Sequence, residues 1–428
     1  MKNPLTIVIF GATGDLYQNK LAPALFDLFC AGSLPSRFNI IGFARRPFSN
    51  EEFQQMTRDF IVKNKTKQNK KYDTEKLESF IKLASYNQGD LDNLQSFQNL
   101  SLKMEEGDAK DEVCSNKMFY LAVPPNMYEG IFKNISLSGL TVPCAQGVSN
   151  LENAWTRVLV EKPFGKDLEQ AERLDGLLGE LFDESQIFRI DHYLAKETVQ
   201  SILKFRFEHE GFGSLWNKEH IDRVRILFHE SGDVSGRGEF YDGLGALRDV
   251  GQNHMLQMLA LVAMQPPDLS SKEEMQKGRQ KILEEIVLTE SAIVVRAQYD
   301  GYLEEPRVNS GSETETFFRV ELGIDNDQWR GVPFELESGK ALDKSEVVIQ
   351  VYFKDAHARL EFLISSTRGV SYDAYEKVLL DCISGDQTLF ASTKEIMAEW
   401  RIITKILKLW QSTPLLSHKK GARAEEIK

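Results

Sequence analysis

Residues 5–15, LTIVIFGATGD, join a continuous apolar run to two glycines and a polar turn. A run of Leu, Ile, Val and Phe with a single threonine is typical of a strand buried on both faces of a parallel sheet, because a half-exposed strand would alternate apolar with polar residues. A helical stretch at 19–35 and a second apolar run, NIIGFA at 39–44, follow it. Strand, helix and strand in this order predict a βαβ unit and therefore an α/β domain with a doubly wound sheet.

The rest of the chain divides into two regions of different character. Two more strand-like runs, KMFYLAVPP (117–125) and RVLVEKPFG (157–165), extend the first pattern. Beyond residue 190, helical stretches such as LRDVGQNHMLQMLALVAM (247–264) precede the strand-like runs SAIVVRAQY, TFFRVELGI and EVVIQVYF. A chain of 428 residues is also too long for one compact core. We predict a Rossmann-type α/β dinucleotide-binding domain over 1–189 and a larger α+β domain with a mainly antiparallel sheet over 190–428.

Composition excludes several classes of partner. The formal net charge of −12 argues against nucleic acid and against an anionic membrane surface. The apolar run MLQMLALVAM at 255–264 is too short to span a bilayer. Four cysteines lie far apart in the sequence and form no metal-binding or disulfide pattern. We therefore expect no metal, no membrane, no disulfide framework and a reducing cytoplasmic location.

The first glycine turn is the candidate dinucleotide site. Gly11 permits the tight turn after the strand, and Gly14 lets the backbone approach a pyrophosphate at the next helix N-terminus. The turn retains only GxxG of the usual GxGxxG, so the alternative is a turn that serves packing alone. At the end of the second strand, GFARRPF offers Arg45 where an NAD site would have an acid, which favours the 2′-phosphate of NADP over NAD; the alternative is surface charge.

The stretch FRIDHYLAKETVQ at 188–200 places an acid, an imidazole, a phenol and an amine directly after a buried strand. If a helix starts near Asp191, His192 and Lys196 share one face, which suits a phosphate or carboxylate ligand. The alternative is an N-cap aspartate with a solvated lysine. His254, within RDVGQNHMLQ, is a candidate general base, since histidine titrates in the range useful for taking a hydroxyl proton.

Taken together, the motifs resemble the glucose-6-phosphate dehydrogenase family. The resemblance covers most of the chain, in long blocks that stand in the family's order: GATGDL, GFAR, VEKPFGKDL, QIFRIDHYLAKETVQ, LWNKEHIDRV, SGRGEFYDGLGALRDVGQNHMLQMLALVAM, WRGVPFELESGKAL and YDAYEKVLLDCISGDQTLF. It implies oxidation of D-glucose 6-phosphate to 6-phospho-D-glucono-1,5-lactone with hydride transfer from C1 to NADP, the first step of the oxidative pentose phosphate pathway. It also implies a homodimer or a dimer of dimers.

The resemblance also implies roles for single residues. His254 matches the family's general base, with Asp191 as the carboxylate that orients it. Substrate-binding positions match Lys162, His192, Tyr193, Lys196, Glu230, Asp249 and Lys340. Cofactor-binding positions match Gly11, Ala12, Thr13, Gly14, Asp15, Leu16, Arg45, Tyr128 and again Lys162, which precedes Pro163, a residue that adopts a cis bond in this family.

The chain departs from the family pattern at three places. Ala195 stands where glycine is usual, Ser345 stands where a second cation is usual, and the region 354–371 is shorter than its counterpart. Two other functions stay open at this point. One is a different Rossmann-type sugar oxidoreductase of the Gfo/Idh/MocA kind, and the other is a non-catalytic NADP-binding protein on the same fold.

Overall fold

The computed structural model describes residues 3–111, 114–142, 154–208, 212–265, 272–289, 292–355, 358–364 and 374–428. Its fifteen strands in this described part are β1 Leu5–Phe10, β2 Phe38–Ala44, β3 Ala84–Gln88, β4 Asn116–Leu121, β5 Thr156–Val160, β6 Ile187–Ile190, β7 Ile221–His229, β8 Ile286–Val287, β9 Val294–Tyr299, β10 Phe317–Ile324, β11 Phe334–Gly339, β12 Glu346–Phe353, β13 Arg359–Leu363, β14 Phe390–Ala391 and β15 Leu415–His418.

The α-helices of the same part are α1 Ala22–Cys30, α2 Asn50–Lys67, α3 Thr74–Ile81, α4 Leu94–Asp111, α5 Tyr128–Leu137, α6 Leu168–Leu181, α7 Glu197–Glu208, α8 Phe212–Leu215, α9 Gly238–Tyr241, α10 Leu256–Ala263, α11 Lys272–Glu285, α12 Ala374–Ser384 and α13 Thr393–Trp410. Two π-helical segments, Tyr17–Leu21 and Leu247–Met255, run directly into α1 and α10. The sequence predicted each of these pairs as one stretch of helix, so the wider turns are a difference in local geometry.

The chain folds into two compact units. The first consists of Met1–Phe164, Glu172–Ile190 and Tyr372–Phe390, and the second of Gly165–Ala171, Asp191–Ser371 and Ala391–Lys428.

The first unit is built on a seven-stranded sheet of order β14-β6-β5-β4-β1-β2-β3. Neighbouring strands from β6 to β3 pair in parallel. Every residue of β1 is buried, as the continuous apolar run predicted. The order reverses at β1, which lies between β4 and β2, and such a switch point is where doubly wound sheets bind ligands.

The second unit is built on an eight-stranded sheet of order β13-β12-β7-β11-β10-β9-β15, with β8 paired to β10. Most pairs are antiparallel, whereas β11 with β7 and β15 with β9 are parallel. Strand β13 lies inside the region 354–371, which the sequence comparison with the family pattern predicted to be shortened. The predicted fold class, a Rossmann-type domain plus a domain with a mainly antiparallel sheet, is confirmed.

One expectation from the sequence changes. Cys114 is disulfide-bonded, although the spacing of the cysteines in the sequence suggested no disulfide framework. Distance along the sequence says nothing about distance between two thiols in the folded chain. Cys30 and Cys382 are free, and Cys382 is buried.

Candidate active site

The first glycine of the N-terminal turn is required by its surroundings. Gly11 has φ +83°, and a Cβ atom there would lie 2.3 Å from the carbonyl oxygen of Ala122. Its N–H donates to the Phe43 carbonyl oxygen (2.9 Å), and the Gly14 N–H donates to the Gly11 carbonyl oxygen (2.9 Å). The turn is therefore closely held against the ends of β2 and β4, and only glycine fits its first position.

The remaining residues predicted for the dinucleotide lie along the same turn. Ala12 is buried, Thr13 and Leu16 are half-buried, and Asp15 is exposed. Asp15 and Leu16 are already helical, and they lead directly into the π-helical turn Tyr17–Leu21. A glycine cradle that leads into a helix N-terminus fits a pyrophosphate, since backbone N–H groups and the helix dipole both favour an anion there.

Arg45 follows β2 directly and is exposed. Its backbone is held in place, because Gln88 Nε2 donates to the Arg45 carbonyl oxygen (3.2 Å) and Tyr86 donates its hydroxyl to the next carbonyl oxygen, that of Arg46 (2.6 Å). The guanidinium group thus projects from a fixed point at the carboxyl end of the second strand, the position that reads the ribose in Rossmann domains.

Tyr128 and Lys162, both in the first unit, are connected through Glu161, the residue that precedes Lys162. Tyr128 is buried, and its hydroxyl donates to the Glu161 carbonyl oxygen (2.9 Å), while Tyr120 donates to Glu161 Oε1 (2.5 Å). Burial and the Glu161 charge raise the pKa of both tyrosines well above the ordinary value. Lys162 is half-buried, and the Lys162–Pro163 peptide bond is cis. These tyrosines therefore fix the backbone that carries Lys162.

In the second unit, the two residues predicted for proton transfer are in contact. Asp191 Oδ1 lies 2.7 Å from His254 Nδ1, and both side chains are about 95% buried, with exposed fractions of 4% and 5%. The same carboxylate oxygen accepts the backbone N–H of Tyr193 (2.8 Å). Because Asp191 accepts both hydrogen bonds, Nδ1 carries the hydrogen in the neutral ring, and Nε2 is then the basic nitrogen.

The His254 ring is also held from its face and from its backbone. The Tyr193 ring packs on it with centroids 4.4 Å apart. The backbone N–H of His254 donates to Asn253 Oδ1 (2.7 Å), inside the π-helical segment Leu247–Met255. Such segments are rare and occur often at functional sites. The imidazole is thus fixed by a carboxylate, an aromatic ring and an unusual backbone turn.

Lys196 lies in the turn that precedes α7, together with His192 and Tyr193. Its Nζ is 3.5 Å from the centre of the Tyr193 ring. Burial lowers the pKa of Lys196 to about 8, against the opposing effect of the Asp191 charge. Burial, followed by the charges of Glu230, Asp191 and Asp249, raises the pKa of Tyr193, which stays a neutral phenol. This turn presents a cation and a hydroxyl from one short segment, a combination suited to a phosphate.

Lys340, Glu230 and Asp249 form a second charged cluster in the same unit. Lys340 Nζ pairs with Glu230 and lies 3.8 Å from Asp249 Oδ2. Glu230 follows β7 and Lys340 follows β11, and these neighbouring strands are parallel, so their carboxyl ends meet. Ala341, next to Lys340, has φ +54°, a left-handed conformation that is uncommon for alanine. The cluster offers one cation and two carboxylate acceptors to a polyhydroxylated ligand.

The structure also accounts for two of the departures from the family pattern. Ala195 lies outside the positive-φ residues of the described chain, and its carbonyl oxygen accepts a hydrogen bond from Gln200 Nε2 (3.2 Å), so no glycine is needed there. Ser345 Oγ accepts the Ser231 N–H (2.8 Å), and the neighbouring Lys344 pairs with Glu346 (2.6 Å). Ser345 is therefore a backbone-binding hydroxyl, and the Lys344 ammonium group is paired with a carboxylate.

One residue that supports the site was missed from the sequence. Glu315 is buried, and its Oε1 accepts the N–H of Leu247 (2.9 Å), the first residue of the π-helical segment. Burial raises the pKa of Glu315 to about 7, against the opposing effect of hydrogen bonds to backbone N–H groups. An acid in the polar stretch GSETET looks like surface, so no sequence signal marked it.

The described residues hold no group of three or more His, Cys, Asp or Glu side chains suited to a metal ion. They also include no helix long and apolar enough to cross a bilayer.

Comparison with known proteins finds the same family over nearly the whole chain. The glucose-6-phosphate dehydrogenase NAD-binding domain matches residues 8–201, and the C-terminal domain of the same family matches 203–369 and 357–426. A cytoplasmic glucose-6-phosphate 1-dehydrogenase 6 of Arabidopsis thaliana is 38% identical over 94% of this chain and 85% of that protein. The glucose-6-phosphate 1-dehydrogenase of Chlamydia muridarum is 35% identical over 95% of this chain and 90% of that protein.

A solved structure agrees with the sequence relatives. Glucose-6-phosphate dehydrogenase in complex with its substrate glucose-6-phosphate superimposes with a TM-score of 0.87 at 30% identity, covering 98% of this chain and 95% of that one. With both domains matched and relatives above 30% identity over nearly the full length, the chain belongs to the glucose-6-phosphate dehydrogenase family.

Proposed function

We propose that the protein oxidises D-glucose 6-phosphate to 6-phospho-D-glucono-1,5-lactone and reduces NADP. The single observation that carries the proposal is the buried Asp191–His254 pair, with 2.7 Å between carboxylate and imidazole, beside a turn that bears Lys196. Family membership supports the substrate, since the related structure holds glucose-6-phosphate as its substrate.

His254 is the general base in this proposal. The sugar's C1 hydroxyl loses its proton to Nε2 as the C1 hydride leaves, and the bound NADP supplies the hydride acceptor. Asp191 keeps the neutral ring in the tautomer with hydrogen on Nδ1 and stabilises the imidazolium that forms. Positioned proton transfer of this kind contributes about 10²–10⁴-fold to the rate.

The remaining polar residues of the second unit bind the sugar phosphate. Lys196, His192 and Tyr193 hold the phosphate, because donors and a cation on one turn fit a dianion and fix its orientation. Glu230 and Asp249 accept hydrogen bonds from sugar hydroxyls, and Lys340 places both carboxylates. Lys162, in the first unit, serves substrate and cofactor together, as the family pattern implies.

NADP is proposed over NAD on the strength of Arg45. An exposed guanidinium group at the end of β2 pairs with the 2′-phosphate of NADP. The 2′-hydroxyl of NAD is bound better by an acidic residue, which this position lacks. The segment Gly11–Leu16 binds the pyrophosphate, and Tyr128 supports the neighbouring backbone. NAD is then the weaker cofactor.

Two properties of the whole protein also remain proposals. We propose a homodimer or a dimer of dimers, and a cytoplasmic location as in the named Arabidopsis relative. The redox state of Cys114 tests the second proposal, because disulfides are rare where glutathione keeps thiols reduced. Light scattering of the purified protein and thiol labelling of Cys114 in cells test them.

Activity is tested with purified protein, NADP and glucose 6-phosphate, followed at the NADPH absorbance. We expect NADPH formation that depends on the phosphate ester and is faster with NADP than with NAD. Equal rates with unphosphorylated glucose would support the other sugar oxidoreductase class. Binding of NADP without turnover between pH 6 and 9 would overturn the catalytic proposal in favour of a binding protein.

A further inference from the structure

Glu399 is a buried acid that the proposed reaction does not use. It lies in α13, its exposed fraction is 2%, and it accepts hydrogen bonds from two side-chain amides. Gln257 Nε2 donates to its Oε1 (2.7 Å), and Gln252 Nε2 donates to its Oε2 (3.2 Å). These two glutamines stand on either side of His254 in the sequence, so Glu399 holds both ends of the segment that carries the base.

A chain of hydrogen bonds runs from Glu399 to the backbone of His254. Gln252 donates to Glu399, and Gln252 Oε1 accepts Asn253 Nδ2 (3.5 Å). Asn253 Oδ1 in turn accepts the His254 N–H (2.7 Å). A change in the hydrogen bonding of the Glu399 carboxyl group would therefore alter the hydrogen bonds of Asn253, the residue that holds the His254 backbone N–H.

The charges around Glu399 argue that it is neutral. Arg279 is committed to Glu395, with Nε 2.7 Å from Oε1 and both side chains fully buried. Among the described residues, the hydrogen-bond partners of the Glu399 side chain are two amides, and no cation pairs with it. Burial, then the charges of Glu395 and Asp191, raises the pKa of Glu399 well above the ordinary value, while Gln257 and Arg279 oppose this more weakly. A lone buried carboxylate would be costly, and protonation removes that cost.

An orphaned atom on Gln257 points the same way. Gln257 Oε1 is buried and accepts no hydrogen bond from the part of the chain that is described. The two ends of a glutamine amide are interchangeable by a half-turn. If Glu399 carries a proton, the turned amide accepts the Glu399 O–H, and the orphaned oxygen gains the donor that an ionised carboxylate cannot give.

We propose that Glu399 is a proton-bearing positioning residue: a neutral carboxylic acid that holds Gln252 and Gln257 around His254. The proposal rests on the proposed function only in naming His254 as the base. Asp191 then remains the ionised carboxylate at the imidazole. An ionised Glu399 would add a second negative charge near Asp191 and would stabilise the imidazolium before substrate binds.

The protonation state is tested without any substrate. Infrared spectra of the wild type and Glu399→Gln at neutral pH should differ by the C=O stretch of one buried carboxylic acid, present in the wild type and absent in the variant. Glu78→Gln is the matched control, since Glu78 is exposed, pairs with Arg58 and should lose only a carboxylate band. A carboxylate band lost in Glu399→Gln, with no acid band, overturns the proposal.

Stability against pH is a second substrate-free measurement. A neutral Glu399 in the folded state and an ionised one in the unfolded state mean that folding takes up a proton above the unfolded pKa. The folding equilibrium of the wild type should then weaken relative to Glu399→Gln as pH rises from 5 to 8, by up to about tenfold per pH unit. Parallel curves for the two proteins over that range contradict a neutral Glu399.

The positioning role is read from kinetics. Glu399→Gln should keep kcat and the acid limb of the pH profile, because it preserves a neutral, hydrogen-bonding group. Glu399→Leu should lower kcat about tenfold with KM for glucose 6-phosphate nearly unchanged. An acid limb displaced to lower pH in Glu399→Gln would show that the wild-type residue was ionised. Absence of turnover in every protein would refute the proposed function, while the infrared and stability results would still decide the state of Glu399.

Discussion

His254 has one ring nitrogen bonded to Asp191 and must accept the substrate proton on the other. Replacing it with asparagine in His254→Asn keeps a polar group of similar size and removes the base. We expect kcat to fall by about 10²–10⁴-fold while KM for glucose 6-phosphate changes little, because the phosphate contacts lie on the Lys196 turn. Steady-state kinetics with NADP measure both constants.

The control for this substitution is His220→Asn, which changes a half-buried histidine whose Nδ1 lies 3.1 Å from the Asn217 side-chain oxygen. It should retain wild-type kcat. A His254→Asn protein with unchanged kcat and raised KM would show that the residue binds substrate and does not take the proton.

Lys196 gives a pH dependence on the alkaline side. Its pKa is lowered to about 8 by burial, so the ammonium is present below pH 8 and is lost above it. Because the charged form binds the phosphate, KM for glucose 6-phosphate should rise above pH 8 by up to about tenfold per pH unit, with kcat less affected. Lys196→Arg keeps its charge in this range and should flatten the rise. A slope that is unchanged in Lys196→Arg would place the titrating cation elsewhere.

The sequence revealed those site residues that lie in specific sequence motifs. Asp191 and His254 are 63 positions apart in the sequence, and only the family blocks around them linked the two before the structure showed their contact. Glu315 and Glu399 were missed for a physical reason. A carboxylate in a polar loop or on a helix is normally solvated, and burial by tertiary contacts leaves no local signal.

At the scale of elements, the turn after β1 depends on Gly11. Gly11→Ala introduces a side chain at positive φ and 2.3 Å from a carbonyl oxygen. We expect the free energy of unfolding to fall by about 2–5 kcal/mol, the sum of left-handed strain and overpacking, and NADP binding to weaken with it. Chemical denaturation and NADP titration measure the two effects.

A second glycine separates backbone strain from crowding. Gly32 has φ +66°, and a Cβ atom at this position would meet no atom of the described chain within 4 Å. Gly32→Ala should therefore cost only the strain, about 1–2 kcal/mol, and leave NADP binding unchanged. Equal losses in the two variants would mean that the close contact at Gly11 contributes nothing.

Three strands were predicted closely. The runs at 5–10, 39–44 and 346–353 correspond to β1, β2 and β12 within one residue, because buried strands are continuous and end at turns. The helix at 247–264 was recognised as helical, but its π-helical first half was not. That geometry depends on Glu315 and Asn253 bonding to the backbone, which periodicity does not report.

At the scale of the whole molecule, the chain path is less simple than the sequence suggested. The domain boundary predicted between residues 189 and 190 stays a prediction. The first unit nevertheless includes Tyr372–Phe390, a segment far along the sequence. Its residues read as an ordinary helix followed by a short strand, and only the packed structure shows to which unit such a late segment belongs.

Arg157 ties this late segment to the first unit. Its Nη1 donates to the carbonyl oxygens of Cys382 (2.5 Å) and Ile383 (2.9 Å) near the end of α12, and its guanidinium group lies 3.9 Å from the Trp155 ring centre. Arg157→Ala should therefore lower the free energy of unfolding by about 1–3 kcal/mol, because it removes charged hydrogen bonds from buried acceptors. Amide hydrogen exchange in α12 should accelerate, while exchange in β1 should follow only global unfolding.

The matched control is Arg58→Ala, which removes a surface ion pair with Glu78 at 2.7 Å. Exposed pairs contribute about 0–1 kcal/mol, so this variant should differ little from the wild type and leave α12 protected. If Arg157→Ala accelerated exchange equally throughout the first unit, α12 would unfold together with the whole sheet. Arg157 would then stabilise the unit globally, and the late segment would be an integral part of its core. Selective acceleration in α12 instead makes the segment a locally docked element, which must fold onto a sheet formed from the N-terminal half of the chain.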